Sequence, residues 1–235
     1  MRVQLFVTCL VDLAYPEVGE RTVALLERLG CSVEFPAGQT CCGQPAYNSG
    51  HPAAARRVAE AFVDVFAETE GPIVAPFGSC VHMVRHGQRR LVDDRGVAAR
   101  VRDLASFVVE DLGLDAVGGS WDGGPVAWHD ECHLLRGLGA ASCSRRLLDG
   151  VGCEVVEVER PDLCCGFGGT FSVKVPEVSV AMADAKLDAA VAAGASAIVS
   201  TDPGCLMHLE GRARRRGLDV SVHHLVDLLE PGGRL

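Results

Sequence analysis

QTCCGQPAYNSG, residues 39–50, carries an adjacent cysteine pair followed by glycine, Cys41-Cys42-Gly43, and the same triplet returns as Cys164-Cys165-Gly166. The second copy lies 123 positions after the first. A lone cysteine stands 32 residues ahead of each pair: Cys9 before Cys41, and Cys132 before Cys164. Another stands behind each, Cys80 in the first half and Cys205 in the second. Cys9, Cys41 and Cys42 therefore map onto Cys132, Cys164 and Cys165 at one offset of 123, and Cys80 maps onto Cys205 at 125. A register this constant marks an internal duplication. It divides the chain into two pseudo-repeated lobes, residues 1–118 and 119–235, each bringing four sulfurs together.

Four sulfurs in one place suggest a metal. Structural zinc sites usually show CxxC knuckles, and this chain has none. Two neighbouring cysteines on a single ion close a small, strained ring. They suit a polynuclear cluster better, because each sulfur can bind a different iron. Thiolate-only ligation is also the preference of iron–sulfur clusters. The expected cofactors are thus iron–sulfur clusters of the [4Fe-4S] kind on Cys9, Cys41, Cys42 and Cys80, and on Cys132, Cys164, Cys165 and Cys205. Zinc at one site stays open, as does reversible thiol–disulfide chemistry.

Hydrophobic residues make up 48% and charged residues 23% of the 235-residue chain, the balance of a soluble globular protein. The net charge of −9 argues against nucleic acid as a partner. The opening MRVQLFVTC reads as a strand rather than a signal peptide. The longest weakly polar run, residues 189–199, is far short of a membrane span. With an odd number of cysteines, 11, these features point to a reducing cytoplasm rather than a disulfide framework.

Both halves alternate strand-like and helix-like segments. In the first, residues 3–9, 31–35 and 72–77 read as strands, and 16–30, 52–68 and 101–112 as helices. In the second, residues 125–128, 153–157 and 197–200 read as strands, and 142–152, 176–194 and 222–229 as helices. A glycine-rich run at 118–124 separates the halves. Alternation of this kind predicts an α/β fold in which each lobe is a mostly parallel sheet flanked by helices. Ligands of such sheets collect beyond the carboxyl ends of the strands. Every cysteine-bearing loop follows a strand, so one edge gathers the four sulfurs of each half. The glycine after each pair lets backbone pass close to a bulky inorganic core.

Other residues have plainer readings. Cys31 and Cys153 correspond between the halves and read as small buried hydrophobes, and Cys143 as structural. His129 and His133 flank Cys132, where they either tune a bound group or sit hydrogen-bonded in a loop. Arg136 nearby meets a carboxylate of substrate, partner or protein. The basic runs 85–90 and 212–216 read as complements to helix C-termini, with docking of an acidic partner as the alternative. Residues 166–170, GFGGT, lack the third glycine of a dinucleotide loop, and no flavin or nicotinamide signature is visible.

Four stretches carry a family resemblance: CCGQPAYNSG (41–50), DECHLLRGLG (130–139), CCGFGGTFSVKVPE (164–177) and DPGCLMHLEG (202–211). The chain resembles the lactate utilization protein A family. Its doubled CCG pattern is similar to that of the glycolate oxidase iron–sulfur subunit and of the cysteine-rich subunit of heterodisulfide reductase. The resemblance implies an iron–sulfur, electron-transferring oxidoreductase subunit of an L-lactate dehydrogenase complex, not active alone. It would work with the other subunits of a system oxidising L-lactate to pyruvate, a second iron–sulfur protein among them. A zinc-stabilised assembly scaffold and a thiol–disulfide redox protein are the alternatives. The heterodisulfide reductase pattern closes with CxxC, giving five cysteines per site. Here Met83 and His208 stand at the last position, which leaves four sulfurs and makes His208 a candidate nitrogen ligand.

Overall fold

A computed structural model describes residues 1–230. It separates into two compact units, Met1–Phe107 and a second beginning at Val108. The glycine-rich run at 118–124 falls inside the second unit.

The first unit is built on a parallel sheet of β1 (Arg2–Leu5), β2 (Ser32–Glu34), β3 (Ile73–Ala75) and β4 (Val101–Asp103), in the order β2-β1-β3-β4. Val3 and Leu5 of β1, and all of β3, are buried, as strands covered on both faces require. The Pro52–Ala67 helix turns Ala55, Ala59, Phe62, Val63 and Phe66 inward, a stripe at helical spacing. Phe6, just past β1, packs against that stripe, with ring centroids 4.8 Å from Phe62 and 5.9 Å from Phe66.

The second unit repeats the plan. Its strands β5 (Val126–Trp128), β6 (Val155–Val156), β7 (Ala197–Ser200) and β8 (Ser221–His224) are ordered β6-β5-β7-β8, again all parallel. Two parallel sheets with flanking helices are the α/β architecture expected from the alternation. In each sheet the chain winds outward in opposite directions from a central pair, β1/β3 or β5/β7. That reversal opens a crevice at the carboxyl ends of the central strands.

Two helices expected from spacing begin as strands. Residues 101–112 open with β4, and 222–229 lie mostly in β8 and the helix that follows. In both units the fourth strand runs straight into a helix with no intervening loop. Asp103 is the hinge in one, its carboxylate accepting from Ser106 N at 3.0 Å. His224 is the hinge in the other, its Nδ1 accepting from Val226 N at 3.1 Å. The apolar spacing therefore continues across the junction, and pairing with β3 or β7 decides what spacing does not. The first strand is also shorter than its apolar run: it ends at Leu5, and Cys9 opens the Cys9–Ala14 helix.

Candidate metal centres

Each cysteine is delivered to its crevice by a named junction. Cys9 follows β1, Cys41 and Cys42 follow β2, and Cys80 lies in the Gly78–His82 helix after β3. The sulfurs meet in pairs: Cys9 and Cys41 are 3.4 Å apart, and so are Cys42 and Cys80. Cys42 and Cys80 are buried, while Cys9 is exposed and Cys41 half-buried. The open side is a cleft of about 220 Å³ lined by Thr8, Asp12, Phe35 and Thr40 beside Cys9 and Cys41.

In the second unit Cys132 follows β5, the pair Cys164-Cys165 follows β6, and Cys205 opens the Pro203–Arg216 helix after β7. Cys165 and Cys205 are buried with their sulfurs 2.9 Å apart. Cys132 and Cys164, both half-buried, hydrogen-bond to each other. Cys205 is held by its own helix start: Pro203 takes the first turn, and the Asp202 carboxylate accepts from Cys205 N at 2.9 Å.

The glycine of each triplet is fixed by backbone geometry. Gly43 has φ 86° and Gly166 φ 89°, in the left-handed region. Their amides turn back to donate to the first sulfur of the pair, Gly43 N to Cys41 and Gly166 N to Cys164, both at 3.4 Å. A Cβ on Gly166 would also collide with the Ser179 carbonyl.

These contacts set the charge. Hydrogen bonds from Cys42 and Cys9 pull the Cys41 thiol down to about 3. Hydrogen bonds from Cys132 and Cys165 bring Cys164 down to about 2. Their partners move the other way. Cys9 and Cys132 are raised by the hydrogen bond each shares with that thiolate, and Cys42 and Cys165 by the same bonds and by burial. Within each quartet the first cysteine of the pair is thus the one that gives up its proton most readily, while the cysteines that hydrogen-bond to it resist deprotonation until a cation draws their protons off.

The supporting residues differ between units. The buried Gln88 side chain donates to the Cys42 carbonyl at 3.0 Å. In the second unit Ser179 Oγ donates to the Gly166 carbonyl at 2.8 Å, and His208 Nε2 lies 3.1 Å from that Oγ. His208 therefore turns toward the loop-holding serine. A buried histidine close to two of the sulfurs is His129. Its ligand nitrogen and the sulfurs of Cys165 and Cys205 all lie within 4.8 Å of one another, and all three residues are buried. Burial lowers its imidazole to about 3, so the ring is neutral. His133 Nδ1 lies 3.9 Å from the Cys132 sulfur.

The remaining candidates go to structure. Cys31 is buried, and burial raises its thiol. Cys153 is half-buried and raised to about 11 for the same reason. Cys143 lies in the core, its sulfur 3.5 Å from Glu110 Oε1. Arg136 donates to the carbonyl and carboxylate of Asp162. Within the basic run 212–216, Arg212 grips Asp184 through two bonds at 2.7 and 2.8 Å, and Arg216 reaches Asp184 and Asp188. That run ties its helix to the Pro176–Ala192 helix. Sequence spacing does not reveal the buried cluster of Asp130, Lys186 and Asp202 around the second quartet. A lysine on the inward stripe of the Pro176–Ala192 helix is the signal that could find it.

The cysteine-rich CCG domain matches residues 3–85 and again 126–210. The chain is 46% identical over 237 aligned residues to lactate utilization protein A of Macrococcus caseolyticus, covering 97% of this chain and 96% of that one. It is 42% identical to lactate utilization protein A of Geobacillus kaustophilus, covering 97% of this chain and 98% of the relative. Among solved structures, a hypothetical protein from Helicobacter pylori superposes with a TM-score of 0.67 at 10% identity, covering 100% of this chain and 49% of that one. That likeness is one of fold. No helix among the described residues is long and apolar enough to cross a membrane.

Proposed function

We infer the function from one premise: this chain belongs to the lactate utilization protein A family and is built from two cysteine-rich CCG domains. We propose that it is a cytoplasmic iron–sulfur electron-transfer subunit of a multi-protein system oxidising L-lactate to pyruvate. Cys9, Cys41, Cys42 and Cys80 would hold one cluster, and Cys132, Cys164, Cys165 and Cys205 the other. The observation that carries this reading is the meeting of distant thiols at the carboxyl edge of each sheet, with sulfurs 3.4 Å apart in the first unit.

The residues fit such a group. The donors of the first quartet are all sulfur, the Cys41 thiol is lowered by its hydrogen bonds, and Gly43 and Gly166 put no side chain beside the sulfurs. A bound iron–sulfur cluster supplies single-electron storage and transfer. The chain does the rest. Buried Cys42, Cys80, Cys165 and Cys205 keep water from one side of each site. The Gly43 and Gly166 amides place a donor on a sulfur, which favours the reduced, more negative state. Exposed Cys9 beside the cleft offers a short path to a partner.

A hydroxy acid gives up two electrons and two protons, whereas a cluster of this kind moves electrons singly. The proposed division of labour follows: partner subunits, a second iron–sulfur protein among them, take lactate's electrons and protons, and this chain relays electrons. Anaerobic purification with iron, sulfide and zinc quantitation and visible absorption tests it. A brown protein with iron and sulfide is expected, inert toward L-lactate with an artificial acceptor until its partners are added. A colourless zinc protein would point to a scaffold. Thiols that cycle with reductant in metal-free protein would point to disulfide chemistry. Robust lactate oxidation by the single chain would overturn the division of labour.

A further inference from the structure

At the offset that aligns the two cysteine patterns, Phe6 of the first unit corresponds to His129 of the second. The first-turn prolines Pro52 and Pro176 align the two long helices, and on that alignment Phe62 corresponds to Lys186. A packed pair of apolar rings in the first unit is thus replaced by a buried imidazole and ammonium in the second. Folding does not require this exchange, because burying polar groups costs free energy unless partners are found.

Lys186 has its partner: Nζ donates to the Pro161 carbonyl at 2.6 Å. His129 has none. It is 1% exposed, and among the described residues neither ring nitrogen makes a hydrogen bond. A buried ring left so costs about 1–3 kcal/mol, and such groups in native proteins normally have something to bind. What lies in reach is sulfur. A ligand nitrogen of His129 and the sulfurs of Cys165 and Cys205 all fall within 4.8 Å of one another. One tetrahedral ion with bonds of about 2.0–2.3 Å holds its ligands about 3.3–3.8 Å apart, so side-chain shifts of about 1 Å would bring these three onto it.

We propose that His129 is a nitrogen ligand of the second-unit metal centre, beside Cys165 and Cys205, so that the two units hold different donor sets. The first centre is sulfur-only. The second takes a borderline divalent cation, or an iron within a cluster, through sulfur and imidazole together. The inference rests on the second quartet being a metal centre. Where the neutral imidazole takes the place of one of the four thiolates, the ligand set carries one negative charge fewer. In iron–sulfur proteins that exchange raises the reduction potential, which would order the two centres along an electron path.

Zinc is the probe. The full-length chain, reduced and metal-free, with 15N in its histidine rings, is titrated with Zn²⁺ and followed by NMR, and affinities are read by chelator competition. One zinc per unit is expected, with one ring signal moving into the metal-bound range. That signal should be absent in His129→Phe, which should weaken one site at least about tenfold and leave the other unchanged. His129→Asn serves if the Phe variant does not fold. Zinc bound in both units with no ring signal moved, or with both affinities unchanged in a folded variant, would refute the ligand role and leave the metal-centre reading standing. If Cys165→Ser leaves zinc stoichiometry and affinity untouched, the second quartet is not a metal centre, and both readings fall.

Discussion

The two units share a sheet order, a cysteine register and a glycine with positive φ after each pair, yet they differ in what they bury at equivalent positions. In the first, Phe6, Phe62 and Phe66 form an aromatic cluster with centroids 4.6–5.9 Å apart. In the second, His129 and Lys186 occupy the positions of Phe6 and Phe62. Asp130 at the same level accepts from Trp128 Nε1 at 2.7 Å and from Arg145 at 3.0 Å. Duplication preserved what converges the sulfurs and let the surroundings diverge. At these positions the first unit buries an aromatic cluster, and the second buries polar and charged groups. Unequal surroundings alone would set the potentials of two such centres apart, because hydrogen bonds and local charge tune a centre as its ligands do.

The largest effect expected is loss of one centre at a time. Cys42→Ser should remove the metal of the first unit and Cys165→Ser that of the second, each leaving the other's metal in place. Metal analysis with absorption spectra checks this. Loss of both metals from either variant would mean that the two sites are not separate.

Next come these buried positions. Phe62→Ala should destabilise the protein by about 3–5 kcal/mol, the cost of truncating a fully buried aromatic residue. Lys186→Ala should cost less, about 1.5–3 kcal/mol, the worth of a charge-assisted hydrogen bond. Urea midpoints measured on both variants compare the two positions, and equal costs would break the contrast.

The third expectation concerns pH. His129 titrates at about 3 when folded against an ordinary 6.5, so between those values the unfolded chain binds a proton that the folded one refuses. Stability of the metal-free protein should therefore be full above 6.5 and fall as pH falls toward 3. Between pH 7 and pH 5 the loss from this group is about 2 kcal/mol. His129→Phe should remove that slope, and a slope unchanged in the variant would assign it elsewhere.

The smallest effect is at the loop before the first cysteine. Thr8 has φ 69° and ψ 150°, a conformation kept almost wholly by glycine. Its counterpart Glu131 is not among the described non-glycine residues of positive φ. Thr8→Gly should relieve about 1 kcal/mol of backbone strain, offset in part by the added freedom of the unfolded chain. A raised melting temperature would show it. The same change at Glu131 should give no gain, since it removes the bond from Thr201 Oγ1 at 2.9 Å and relieves no such strain.

Much of this was legible in the chain's text. The duplication, the strand–helix alternation and the grouping of cysteines are patterns of spacing, and spacing survives without coordinates. The helices expected from residues 16, 52 and 176 do start there, each on a proline, which needs no amide partner in a first turn. The fourth strands were not legible. Residues 101–103 and 221–224 run into helices across a single capping residue, and only pairing with β3 and β7 makes them strands. Nor did spacing separate the histidines. His208 stood where a fifth ligand was wanted, yet it turns to Ser179, while His129 lies buried against two sulfurs. Which nitrogen faces a sulfur depends on how a helix and a strand end pack, and on which buried groups find partners elsewhere. These are relations between residues dozens of positions apart, and only the tertiary structure decides them.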